Sequence, residues 1–128
     1  MPAPADRLPL RICRGAIAFV WSYHGLVPKL LGPAADELLM DRALGVSDDH
    51  AVQIARTAGV AEIAMAACVL LLPRREWPLW LTLGLMAALL AYVALFVPAL
   101  LAAAFNPVTI NLCVMALAAV ALCLQRGR

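Results

Sequence analysis

The chain has 128 residues, 65% of them hydrophobic, with a mean hydropathy of +0.90. A soluble domain this small has too much surface to be so apolar, so lipid must solvate much of it. The formal charge of +2, with no basic cluster interleaved with aromatics, excludes a nucleic-acid partner, and the length fits one integral membrane domain over residues 1–128.

The N-terminal stretch MPAPADRLPLRICR leads into an apolar run longer than a signal-peptide core, with no small-residue cleavage site soon after it. The first helix is therefore expected to remain in the mature protein. It is predicted over Leu8–Pro28 and followed by a charged connection from Lys29 to His50. Within that connection, Pro33 and Gly45 bracket AADELLMDRAL. This predicts a short interfacial helix with Leu38, Leu39 and Leu44 on the bilayer and Asp36, Glu37 and Asp41 in water. Ser47-Asp48-Asp49 then offers a cap and two acids where the next helix dipole favours negative charge. The second span is predicted over Ala51–Leu72, the third over Pro78–Phe105 and the fourth over Pro107–Leu124. Pro98 lacks an amide donor and should kink the third helix, while Asn106-Pro107 is a good opening for the fourth. The expected fold is all-α: a four-transmembrane-helix bundle with a short outer interfacial helix between the first two spans.

The connections suggest an orientation. Arg7, Arg11 and Arg14, then Arg74 and Arg75, then Arg126 and Arg128 fall on one side. The acidic first connection, with Asp36, Glu37, Asp41, Asp48 and Asp49 against Lys29 and Arg42, falls on the other. By the positive-inside rule both termini face the cytoplasm.

Glu62 stands out because a carboxylate near the middle of a span costs on the order of 2.5–3.5 kcal/mol or more and needs a protein environment. Counted at 1.5 Å per residue, it lies about 16 Å below the outer face, level with Tyr92, with Arg14 about 5 Å deeper. An Arg14–Glu62 pair with Tyr92 donating to it is the preferred arrangement; the competing one lets Arg14 reach the cytoplasmic headgroups. Nearer the outer surface lie His24, Arg56 and Asn111, with Lys29, Glu37 and Asn106 at the mouth. Ala55, Ala58, Gly59 and Ala66 share the Glu62 face, and small residues at that spacing let helices approach closely. Arg14, Ala18, Trp21, Gly25 and Pro28 form a stripe on the first helix, with His24 on its shoulder. Trp21 suits packing or ligand stacking, and His24 suits proton transfer or neutral hydrogen bonding.

Cys13, Cys68, Cys113 and Cys123 all lie in apolar runs and read as small apolar residues rather than a disulfide framework. His24, His50, Glu37, Asp48 and Asp49 match no metal-ligand spacing, so no metal is expected. No catalytic triad, phosphate-binding glycine loop, haem-attachment motif or dinucleotide fingerprint is present, and no autonomous catalyst is evident.

Two segments, VWSYHGLVPKLLGPAADE (Val20–Glu37) and AFNPVTINL (Ala104–Leu112), flank Arg56-Thr-Ala-Gly59-Val-Ala-Glu62. Together they resemble the DoxX-like family of small bacterial membrane proteins. The resemblance implies a four-helix protein of the bacterial inner membrane. It directs interest to Trp21, His24, Gly25, Pro28, Lys29, Glu37, Glu62, Asn106, Pro107 and Asn111 without assigning them catalytic roles. Some relatives are associated with oxidoreductase systems, including a quinone-linked thiosulfate oxidation subunit, and related segments occur beside dehydrogenase-like domains. This sequence shows no such domain, so a redox partner would be a separate subunit. The expected role is an accessory subunit of a redox system, with quinone as a candidate cofactor. In that role a quinone carbonyl would accept from His24 or Arg56 while Glu62 handles a proton. The alternatives are a membrane binder or transporter of a small hydrophobic or anionic solute, which would need a homo-oligomer, and a structural scaffold of a membrane complex.

Overall fold

The computed structural model describes residues 7–127, so the flank before Arg7 and the terminal Arg128 lie outside the described residues. Among those described the chain is helical, without a strand. The helices are α1 (Leu8–Gly25), α2 (Ala35–Arg42), α3 (Asp48–Leu71), α4 (Trp77–Phe96) and α5 (Pro107–Arg126). A π-helical turn, Leu26–Leu30, extends α1, and a 3-10 turn, Pro98–Ala102, follows α4.

Three helices, α3, α4 and α5, are long and apolar enough to cross a membrane, with mean hydropathies of 1.7, 2.2 and 2.3. α1 falls outside that group because Arg11, Arg14 and His24 dilute its apolar content.

The prolines account for the departures from the expected boundaries. The first helix does not stop at Pro28. A proline ring collides with the carbonyl four residues back, and widening to π geometry relieves this, so the Leu31 amide donates to Leu26 O at 2.9 Å. Pro98 ends the third span rather than kinking it. Val97, forced out of helical geometry by the proline that follows, sits at φ −140° and ψ 56°. Asn106 caps α5 as expected, its Oδ1 accepting from the Thr109 amide at 3.0 Å. Ser47 has the extended backbone of a cap, but its hydroxyl pairs with His50 Nδ1 at 2.7 Å instead of a backbone amide. Gly45, at φ +77°, makes the turn between α2 and α3 that a residue with a side chain rarely adopts.

α1 is the hub. It packs on α3 and α5, α4 packs on α5, and α2 packs on α3. Ile17, Ala18 and Trp21 of α1 meet Ala66 and Val69 of α3 and Val114 and Ala118 of α5 in one apolar core. α1 and α3 touch through glycine: a Cβ at Gly25 would lie 2.5 Å from Gly59 O, and one at Gly59 would lie 2.6 Å from Gly25 O. α3 and α4, by contrast, scarcely touch. The order α3–α1–α5–α4 thus leaves one seam open, and the candidate site lies in it.

Candidate functional site

The open seam is a cleft of about 640 Å³. α1 forms its floor with Val20, Trp21 and His24. α3 supplies Ala55, Ala58, Glu62 and Met65 on one side, and α4 supplies Leu81, Leu85, Leu89 and Tyr92 on the other. α2 covers one end with Glu37, Met40 and Asp41. Leu81, Leu85 and Leu89 stay partly exposed, so the cleft is open along its side.

Its polar groups gather at the α2 end, around Lys29. The π turn carries Lys29 onto the inner side of α1, where only 7% of it is exposed. Lys29 Nζ lies 2.5 Å from Glu62 Oε1 and 3.6 Å from Glu37 Oε2. Glu62 therefore pairs with Lys29, not Arg14. Its second oxygen, Oε2, is buried without a partner, as is Asp41 Oδ2. Glu37 and Asp41 do not face water as the amphipathic pattern suggested; α2 turns both toward the cleft. Burial holds both carboxyls above their ordinary pKa, outweighing the nearby Lys29 ammonium.

Arg14 has a different task. The Gly25–Gly59 contact sets the register of two antiparallel helices, and stepping back from it along α1 brings Arg14 to the end of α3, away from Glu62. Its guanidinium donates to Val69 O at 2.8 Å, Leu72 O at 3.4 Å, Arg75 O at 2.7 Å and Gln125 Oε1 at 2.6 Å. These include carbonyls that a helix end leaves without intrahelical partners. Arg14 does not reach Glu62; it ties α1 to the ends of α3 and α5.

The remaining candidates divide. Trp21, His24, Lys29, Glu37, Glu62, Tyr92 and Asn111 all line the cleft. Trp21 Nε1 donates to Thr82 Oγ1 at 3.1 Å, Asn111 Nδ2 to Met86 O at 3.3 Å, and the Tyr92 hydroxyl to Met40 O at 2.7 Å rather than to Glu62. Arg56 is exposed on the far side of α3 and does not line the cleft. Asn106 is occupied as a helix cap. At this end of the cleft one lysine, Lys29, thus lies among the three carboxyl groups of Glu37, Asp41 and Glu62.

Sequence reading placed Lys29 only at the rim and overlooked Asp41 as a site residue. A signal for Lys29 was present: it lies one helical turn beyond Gly25 on the buried stripe of α1. Asp41 had no such signal, because a short amphipathic helix can dock by either of its polar edges. All four cysteines are free; Cys68 lines the cleft, and Cys113 and Cys123 face outward on α5.

No curated protein gives a significant match to the chain, and no solved structure does. The profile of the DoxX-like family matches residues 18–119, which include all of the cleft's polar groups. With three apolar helices long enough to cross a bilayer, the chain is a multi-pass membrane protein that belongs to the DoxX-like family.

Proposed function

We propose that this protein is a single-domain accessory subunit of a membrane redox system and that its cleft holds the head of an isoprenoid quinone. The observation that carries the reading is the cleft itself. Ligand pockets commonly measure about 300–1,000 Å³ and combine apolar walls with a few convergent polar groups. This one has leucine and alanine walls, two tryptophans and a tyrosine, and its charged groups confined to one end. Its side opening faces the lipid where α4 is exposed, which suits a ligand that travels within the bilayer. The family relationship supports a redox setting, and the catalytic partner is a separate subunit.

In this reading α1 is the fourth span. Two of its charges are engaged within the bundle, Arg14 by carbonyls and Lys29 by carboxylates, which offsets the cost of placing them in lipid, while Arg11 is exposed in its first turn. α2 lies on the outer surface, and both termini face the cytoplasm of the bacterial inner membrane.

The test is gentle extraction from the native membrane, native mass spectrometry and a quinone assay of the extract. The expected result is stoichiometric quinone or a dehydrogenase partner, with partner activity lowered by Glu62→Gln. An oligomer carrying only bulk phospholipid sinks the reading. Thiol labelling of Asp36→Cys and Arg74→Cys in intact cells tests topology: Asp36→Cys reacts with an impermeant reagent from outside, and Arg74→Cys does not.

A further inference from the structure

Resting on the quinone-site reading, we infer that the cleft prefers the reduced ligand: a hydroquinone, whose hydroxyls donate, over the quinone, whose carbonyls only accept. The inference comes from an inventory of donors and acceptors around the cleft. The Trp21 indole donates to Thr82, the Tyr92 hydroxyl to Met40 O, and the Asn111 amide to Met86 O. Lys29 is held between Glu62 and Glu37. These donors already serve the protein; among the described residues two further lining groups make no hydrogen bond to it, the His24 imidazole, which when neutral donates once and accepts once, and the Trp77 indole, at the other end of α4 from Tyr92. Two buried acceptors lack partners, Glu62 Oε2 and Asp41 Oδ2, and both belong to side chains that line the cleft.

A carbonyl head placed at the α2 end meets acceptors that repel it. A hydroxyl head meets acceptors in need of a donor, and rotation of either carboxylate presents its free oxygen. Charge acts in the same direction. One ammonium faces the carboxyl groups of Glu37, Asp41 and Glu62, and a carboxyl that burial protonates still keeps an acceptor oxygen beside its one donor; His24 lies on the floor beside them. An excess of acceptors in a low-dielectric setting disfavours an anionic head and favours a neutral donor. Bonds to charged acceptors are among the stronger hydrogen bonds, enough for about tenfold discrimination between heads of the same shape.

The experiment is anaerobic calorimetric titration of the full chain in lipid nanodiscs with a decyl-benzoquinol and the matching decyl-benzoquinone. The reduced form is expected to bind about tenfold tighter, which places the midpoint of the bound two-electron couple about 30 mV above that of the free couple. Glu62→Gln and Asp41→Asn should each reduce the preference; the second variant serves if the first folds poorly. Equal or tighter binding of the oxidised form overturns this inference and leaves the quinone site standing. Binding of neither form overturns both.

Discussion

Lys29 and Glu62 depend on each other. Both are largely buried, and a pair of this kind contributes little net stability, whereas removing one partner strands the other charge at a cost of about 3–5 kcal/mol. Lys29→Met should therefore lower the unfolding midpoint in detergent markedly, and the double variant Lys29→Met, Glu62→Gln should recover much of the loss. If the single and double variants are equally unstable, the two residues are not coupled. The ion pair between Glu76 and Arg126, backed by the Arg126 guanidinium 5.3 Å from the Trp80 ring, is exposed and screened, so Glu76→Gln should leave the midpoint nearly unchanged. At this scale the sequence was legible in part. That Glu62 needs a protein partner follows from its depth alone. Which partner it finds depends on helix register, and register follows from the glycine contact and the π turn, neither of which a depth count includes. Glu62 therefore meets a lysine assigned to the rim, while Arg14 caps the end of α3.

At the scale of the element, the α1–α3 contact has no spare room. An alanine at Gly25 or Gly59 must push the facing carbonyl away, and overpacking of this kind costs about 1–3 kcal/mol. Gly59→Ala should lower stability by that amount, while Gly84→Ala on α4, where a Cβ meets open space, should not. A Gly59→Ala protein as stable as the parent would show that the helices are free to separate. α2 is the element that responds to pH. Burial raises the pKa values of Glu37 and Asp41, so the folded state favours their protonated forms. The stabilisation is fully present below the ordinary carboxylate range and is lost as pH rises through the raised values. Hydrogen exchange of the Ala35–Arg42 amides should accordingly be slower, after correction for intrinsic rates, on mild acidification than at neutral pH, and Glu37→Gln should flatten the response. Unchanged protection across that range would mean the two carboxyls do not govern docking. The helices themselves were readable from hydropathy and caps; their ends were not, because proline can widen a helix, as at Pro28, or end it, as at Pro98.

For the molecule as a whole, the two ends of the bundle differ. Opposite α2, Arg14 binds three backbone carbonyls and Gln125, joining α1, α5 and the end of α3. Arg14→Leu leaves those acceptors without their charged donor and should cost about 3 kcal/mol or more, with Arg14→Lys recovering only part because an ammonium cannot span them. A circular-dichroism melt in detergent reads both variants, and a melt of Arg14→Leu that matches the parent removes Arg14 as the tie. Membrane class and family were legible in the sequence, through bulk hydropathy and two short segments. The open seam was not, since it arises from two helices that fail to pack, and no residue pattern marks a missing contact. That seam changes how the concentration of any occupant should be counted. A molecule that enters from the side arrives by diffusion in two dimensions, so its occupancy follows its mole fraction among the lipids rather than its concentration in water. Diluting the membrane with inert lipid should empty the seam, whereas diluting the buffer should not.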